Sequence, residues 1–186
     1  MLQEKLRFAE TTDCVEALKN LSQDEDFIIR SYVASNINTP SLILDQMSEN
    51  DKEENLESIR YYVSSNSNTS AETLAKLSAD SYWTMRSHVA VHFKTPVQVL
   101  DILGEDSDLN VRIMVAGNTN ASAETLQRLS CDERAMGYAI RNKSNYRIKE
   151  MIKVGMKSEL DILCRRLNIN YVWFRSWEQD FFKIRL

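Results

Sequence analysis

His88 and His92 stand four residues apart, a separation that sets two imidazoles on one helix face and matches half of many zinc sites. No third ligand stands at a usable spacing and no Glu lies between them, so a catalytic metal is not expected. Four arginines, Arg30, Arg60, Arg86 and Arg112, recur in register and would form a basic ladder if successive copies packed side by side. Asp24, Asp80 and Asp106 each precede one of them by six residues. The expected use is therefore an Arg–Asp bond within or between copies rather than a ligand stripe. Paired carboxylates are frequent, yet a charged, solvated surface accounts for them. The sequence has no Gly-rich phosphate loop, no nucleophile elbow and no Cys/His pair. Catalysis and a bound cofactor are not expected.

The elements that must position these residues are copies of one another. Arg112–Asp132 aligns with Arg60–Asp80 when moved back 52 residues, and with Arg86–Asp106 when moved back 26. A further copy runs from Arg30 through Val33, Ala34, Asn36, Thr39, Pro40, Leu44 and Met47 to Asn50. Self-similarity at such a period marks a helical repeat array, in which one unit cannot bury its own apolar face.

Each copy holds two short helical patterns. The first, over residues 26–35 in one copy, carries Phe27, Ile29, Tyr32 and Val33 as an apolar stripe and ends at Asn36, one of a row with Asn66, Asn118 and Asn142. Asn tolerates the left-handed conformation that closes a helix and bonds freed carbonyls, so the row reads as turn-closing. Thr39-Pro40 and Thr95-Pro96 read as N-cap and first-turn proline of the second helix, Thr69 with Glu72 as a capping box, and Ser122 with Glu124 as a looser one. Leu44/Met47, Leu74/Leu77, Leu100/Leu103 and Leu126/Leu129 each place two apolar side chains on one face. Helices of this length are marginal alone and must lean on neighbouring copies.

The fold class expected is all-α, an α-solenoid of about four to five two-helix repeats. Residues 1–25 read as a degenerate capping repeat with Glu10 in the Asn slot, residues 26–142 as the array, and residues 143–186 as a basic, aromatic C-terminal cap. Four extra residues fall in 50–55, a charged bulge between helices. The alternation around Trp177-Glu178-Gln179-Asp180 allows a short β-hairpin, with a helix as the other reading.

Bulk properties narrow the class further. The 186 residues are 43% apolar and 27% charged, with only four Gly and two Pro, as in a helix-rich globular chain. No apolar run nears the ~20 residues of a membrane span, and Met1–Lys5 lacks the basic start of a secretory signal. Cys14, Cys131 and Cys164 are scattered and odd in number, which favours free thiols in a reducing cytoplasm. Residues 1–132 hold 11 Lys/Arg against 21 Asp/Glu, net −10, while residues 133–186 hold 12 against 6, net +6. An acidic array precedes a basic tail.

The unit Arg-x-x-Val-Ala-x-Asn-x-x-Thr-Pro-x-x-x-Leu-x-x-Leu-x-x-Asp resembles the leucine-rich repeat variant family over about residues 26–132, most closely in the copy from Arg30 to Leu44. The resemblance implies a right-handed superhelix of alternating α- and short 3₁₀-type helices, akin in shape to HEAT and armadillo arrays. It implies no enzymatic activity. The best-known member type holds an iron–sulfur cluster on an N-terminal cysteine cluster; here only Cys14 lies in that region, so no cofactor is carried over.

The function expected is a non-enzymatic protein–protein interaction module, with nucleic-acid binding through the basic C-terminal region as the alternative. Tyr61, Tyr82 and Trp83 are candidate anchors on first helices, beside Tyr62. Arg147, Lys149, Lys153, Arg165 and Arg166 are the candidate contacts of the basic region. Trp173 and Trp177 belong to an aromatic C-terminal group that either covers the end of the array or forms a docking or homodimer patch.

Overall fold

The computed structural model describes residues 2–50 and 58–129. Ten helices follow one another, with no strand among the described residues. They are α1 (Leu2–Thr11), α2 (Val15–Leu21), α3 (Phe27–Ser35), α4 (Ser41–Asn50), α5 (Ile59–Ser65), α6 (Ala71–Leu77), α7 (Trp83–Val91), α8 (Val97–Leu103), α9 (Leu109–Gly117) and α10 (Ala123–Leu129). The second members of the pairs are α-helices too, not the 3₁₀ turns that the family resemblance implies. The bulge at 51–55 and the hairpin around Trp177 lie outside the described residues.

Contacts follow chain order. Each odd helix packs on the next odd helix, from α1 on α3 to α7 on α9, and each second helix also packs on the first helix of the pair that follows. The repeated sequence slots supply one continuous core from Ala9 to Leu129. Val33, Val63, Val89 and Val115 are fully buried in the first helices. All eight residues of the expected Leu and Met pairs are buried in the second helices. Tyr32 departs from the expected stripe: it is 36% exposed, on the outer side of α3. A buried Leu contributes ~1.5–3 kcal/mol, more than the ~1 kcal/mol of a cap, so packing decides whether a seven-residue helix such as α6 exists.

The Asn row joins one repeat to the next. Asn36, Asn66 and Asn118 are not left-handed; all three are extended, with ψ of 125°, 127° and 129°. Their work is done by the carboxamide. Asn66 Nδ2 donates to the carbonyls of Ala34 (2.7 Å) and Asn36 (2.9 Å) in the preceding repeat, while Asn66 Oδ1 accepts from Asn68 N. Asn36 reaches back to Ala9 and Thr12, and Asn118 to Ala90 and His92, in the same way. A second row runs beside it: Asn68 Nδ2 donates to Ile37 and Thr39 carbonyls, and Asn120 Nδ2 to Phe93. That second row was not anticipated, although Asn38, Asn68 and Asn120 recur two residues after the first.

Three other sequence expectations are corrected. Thr12, not Glu10, holds the first repeat's Asn slot: it is buried, its hydroxyl accepts from Cys14 N, and Glu10 is exposed. Thr39, Thr69 and Thr95 do not cap the following helix; each hydroxyl donates backward to the carbonyl of Val33, Val63 or Val89. The N-cap of α6 is Ser70, whose hydroxyl accepts from Thr73 N, and Ser122 accepts from Thr125 N rather than pairing with Glu124.

The stronger sequence match at 52 residues than at 26 has a structural basis. Asp45 on α4 accepts from the hydroxyls of Ser70 and Thr73 next to and within α6. Asp101 on α8 accepts in the same way from Ser122 and Thr125. The corresponding positions of α6 and α8 hold Ala75, Pro96 and Val99 instead. Polar and apolar junctions thus alternate along the second helices, and two copies make one full period.

Candidate functional site

The arginine ladder works in two directions. Arg30, Arg86 and Arg112 each donate from Nη1 to the two carbonyls six and five residues earlier, fastening the turn that enters their own helix. The Asp six residues upstream is met at its carbonyl, not its carboxylate. The carboxylates of Asp80 and Asp106 go to the previous repeat's arginine, and that of Asp24 to Lys5 of α1. Arg86 donates from Nε and Nη2 to both oxygens of Asp106, at 2.6 and 2.9 Å, and Arg60 Nη1 lies 2.9 Å from Asp80 Oδ2. The same carboxylates accept from the amide two residues on, Tyr82 N for Asp80 and Asp108 N for Asp106. Such fork-shaped, half-buried pairs position helices and leave few donors for a ligand.

The imidazoles do not converge on a common point. His88 Nδ1 lies 2.5 Å from Ser65 Oγ, and its ring tilts against Tyr61 at 4.6 Å. His92 fills the Asn slot, with Nε2 3.0 Å from the Asn66 carbonyl and Nδ1 accepting from Lys94 N at 3.1 Å. Burial pushes both imidazoles below their usual range. No cluster of three His, Cys, Asp or Glu with metal-binding geometry occurs among the described residues. Ser65 with His88 has the two residue types of a nucleophilic dyad. Ser65, however, ends α5 and its hydroxyl also donates to the Tyr61 carbonyl. Among the described residues, no carboxylate is positioned on His88 to orient it as a base, as triad chemistry needs.

The aromatic residues give the more continuous feature. Phe27 of α3 meets Tyr62 of α5 edge-on at 6.4 Å, Tyr62 meets Tyr61 at 5.3 Å, and Tyr61 meets His88 of α7. Ring contacts therefore cross three consecutive first helices. On the outer sides of the same helices Ile28 is 50% exposed, Tyr32 36% and Trp83 43%. Of the expected anchors, Tyr61 lies within this run, half-buried. Trp83 opens α7 toward solvent. Tyr82 is the N-cap residue of α7, half-buried, its amide on Asp80. Ile28, Tyr32 and His88 were missed as surface candidates. The i, i+4 spacing of Ile28 and Tyr32 is the signal that could have found two of them. Arg147, Lys149, Lys153, Arg165, Arg166, Trp173 and Trp177 lie outside the described residues, as do Cys131 and Cys164; Cys14 is an exposed free thiol.

No helix among the described residues is long and apolar enough to cross a membrane. The described residues define an all-α array of repeated helix pairs. Neither a protein-family model, nor a curated protein, nor a solved structure matches it.

Proposed function

We propose that this chain is a non-enzymatic protein-binding module, a right-handed α-solenoid of the leucine-rich repeat variant kind, whose α3, α5 and α7 outer faces hold the partner. The observation that carries this reading is the run of ring contacts across those three helices, flanked by exposed Ile28, Tyr32 and Trp83. Aromatic side chains are effective interface anchors because they cover large area with few rotatable bonds. The net −10 of residues 1–132 favours a partner segment that is basic or of mixed charge, held more tightly at low salt. An exposed free thiol at Cys14 fits a reducing, cytoplasmic setting.

The test is photo-crosslinking in cells from a probe placed at Tyr32, followed by the same capture with a Y61A/W83A variant. The wild-type chain is expected to yield one defined partner, and the variant to lose about tenfold or more of that product at unchanged far-UV circular dichroism. Equal capture by the variant would exclude this face. Turnover of a substrate by the purified chain would exclude the class. Small-angle scattering checks the architecture: a radius of gyration of about 16 Å, that of a compact globule of this length, would rule out a solenoid.

A further inference from the structure

Both histidines of the chain belong to one joint, that between α5 and α7. The joints α1–α3, α3–α5 and α7–α9 are linked by the carboxamides of Asn36, Asn66 and Asn118, which cannot gain a proton near neutrality. His92 replaces that carboxamide with groups that can. Its hydrogen bonds fix the tautomer. The Lys94 N–H can only donate, so Nδ1 must be bare; the Asn66 carbonyl can only accept, so Nε2 must carry the hydrogen. The neutral ring thus copies both functions of Asn, an acceptor for the amide two residues on and a donor to the preceding repeat. A second proton on Nδ1 would set N–H against N–H in a site where His92 is only 6% exposed.

We infer that the α5–α7 joint is an acid-labile hinge, which opens when His92 takes up a proton while the Asn-linked joints on either side stay closed. The charge nearest the ring is the Lys94 ammonium, which disfavours a cation there. Other charged groups on the packed elements are engaged elsewhere. On α5, Arg60 pairs with Asp80; on α6, Lys76 pairs with Glu49 and Glu72. On α8, Asp101 binds Ser122 and Thr125, and on α9, Arg112 binds the Asp106 and Ser107 carbonyls. Among the described residues, no carboxylate of these elements is left to stabilise an imidazolium at either histidine. Tyr61 is the titratable neighbour of His88 on α5, its ring tilted against the imidazole.

The sign follows from the direction of the shift. Burial holds the folded imidazole below the ~6.5 of a free histidine. The open form therefore binds protons more readily, and closure weakens as pH falls from about 7 towards 5. The carboxyls of Asp24, Asp101 and Asp106, held low in the folded chain, stay ionised in that window and contribute no change.

Hydrogen exchange with mass spectrometry tests this on the full chain at pH 7.5 and 5.5, after correction for intrinsic rates. Protection over residues 59–66 and 84–95 is expected to fall about fivefold to tenfold at the lower pH in the wild type, and to stay level in H92N. An equal loss in wild type and H92N overturns the inference. So does no loss in the wild type, or the same loss across the α1–α3 and α7–α9 joints. If H92N does not fold, an NMR titration of the wild-type histidine ring protons decides: His92 titrating at or above ~6.5 rules the hinge out.

Discussion

Asn66 closes three hydrogen bonds with one side chain, two to carbonyls of the preceding repeat and one from the amide of Asn68. It is 5% exposed, so water cannot replace what a truncation removes. N66A is expected to lower the unfolding free energy by ~2–4 kcal/mol, because buried groups left without partners bear their full desolvation penalty. Asn68 reaches Ile37 and Thr39 from a more open position, and N68A should cost about 1 kcal/mol or less. Urea denaturation of the two variants checks the ordering; equal losses would mean that burial is not what gives the first row its importance. The sequence shows both rows by period alone. It does not show their targets, since a carboxamide two residues from a turn can as easily bond its own turn as a neighbour's carbonyl.

Two glycines separate what an element needs from what its junction needs. Gly104 follows α8 in ordinary right-handed geometry, φ −64°, so its backbone does not require a glycine. A Cβ there would stand 2.7 Å from Thr125 Cγ2 on α10 and 3.3 Å from the Leu100 carbonyl. Thr125 cannot swing aside freely, because its hydroxyl is bonded to Asp101. G104A should therefore destabilise by ~1–3 kcal/mol, as overpacking does. Gly117, the last residue of α9, has nothing within 4 Å of a built Cβ. G117A should be neutral or stabilise by up to about 1 kcal/mol through lost freedom of the unfolded chain. Thermal melts of the two variants should move in opposite directions, and parallel shifts would refute the close approach of α8 to α10. The second helices were legible in the sequence because Leu pairs three apart announce one buried face. The start of α10 at Ser122 is read correctly, but those of α4, α6 and α8 fall one residue early: Thr69 and Ser70 are both good capping types, and only the fold engages the first with the helix behind it.

Across the molecule the array is acidic, and part of that charge is tied to helices. The Lys5 ammonium and the Asp26 amide hold the Asp24 carboxyl low. The Thr125 hydroxyl does so for Asp101. At Asp106 burial works against ionisation, but the Arg86 guanidinium and the Asp108 amide outweigh it and leave the group low. Carboxyls depressed in the folded state contribute stability that is present above their unfolded value of ~3.9 and is lost as pH falls from there through the lower folded value. Wild-type stability should therefore fall steeply below about pH 4, a step distinct from any histidine effect nearer neutrality. D106N should be less stable than wild type at pH 7 and converge on it below about pH 3, as followed by denaturant titrations at each pH. A constant difference between them would show that Asp106 acts by shape rather than charge.

The sequence by itself determined that equivalent positions recur, that they are helical, and that the paired Leu and Met positions are buried, though not that Tyr32 is exposed. Periodicity reports which side chains share a face, and Arg30–Leu44 with its copies states that plainly. Only the tertiary structure decided what each slot touches. Arg86 meets Asp106 twenty residues ahead rather than the Asp80 carboxylate behind it, and Asn118 meets Ala90 in the preceding repeat. The reason is geometric: an arginine or carboxamide of given length reaches its own turn and the adjoining copy equally well along the chain. The choice between them is set by where packing brings the next helix end.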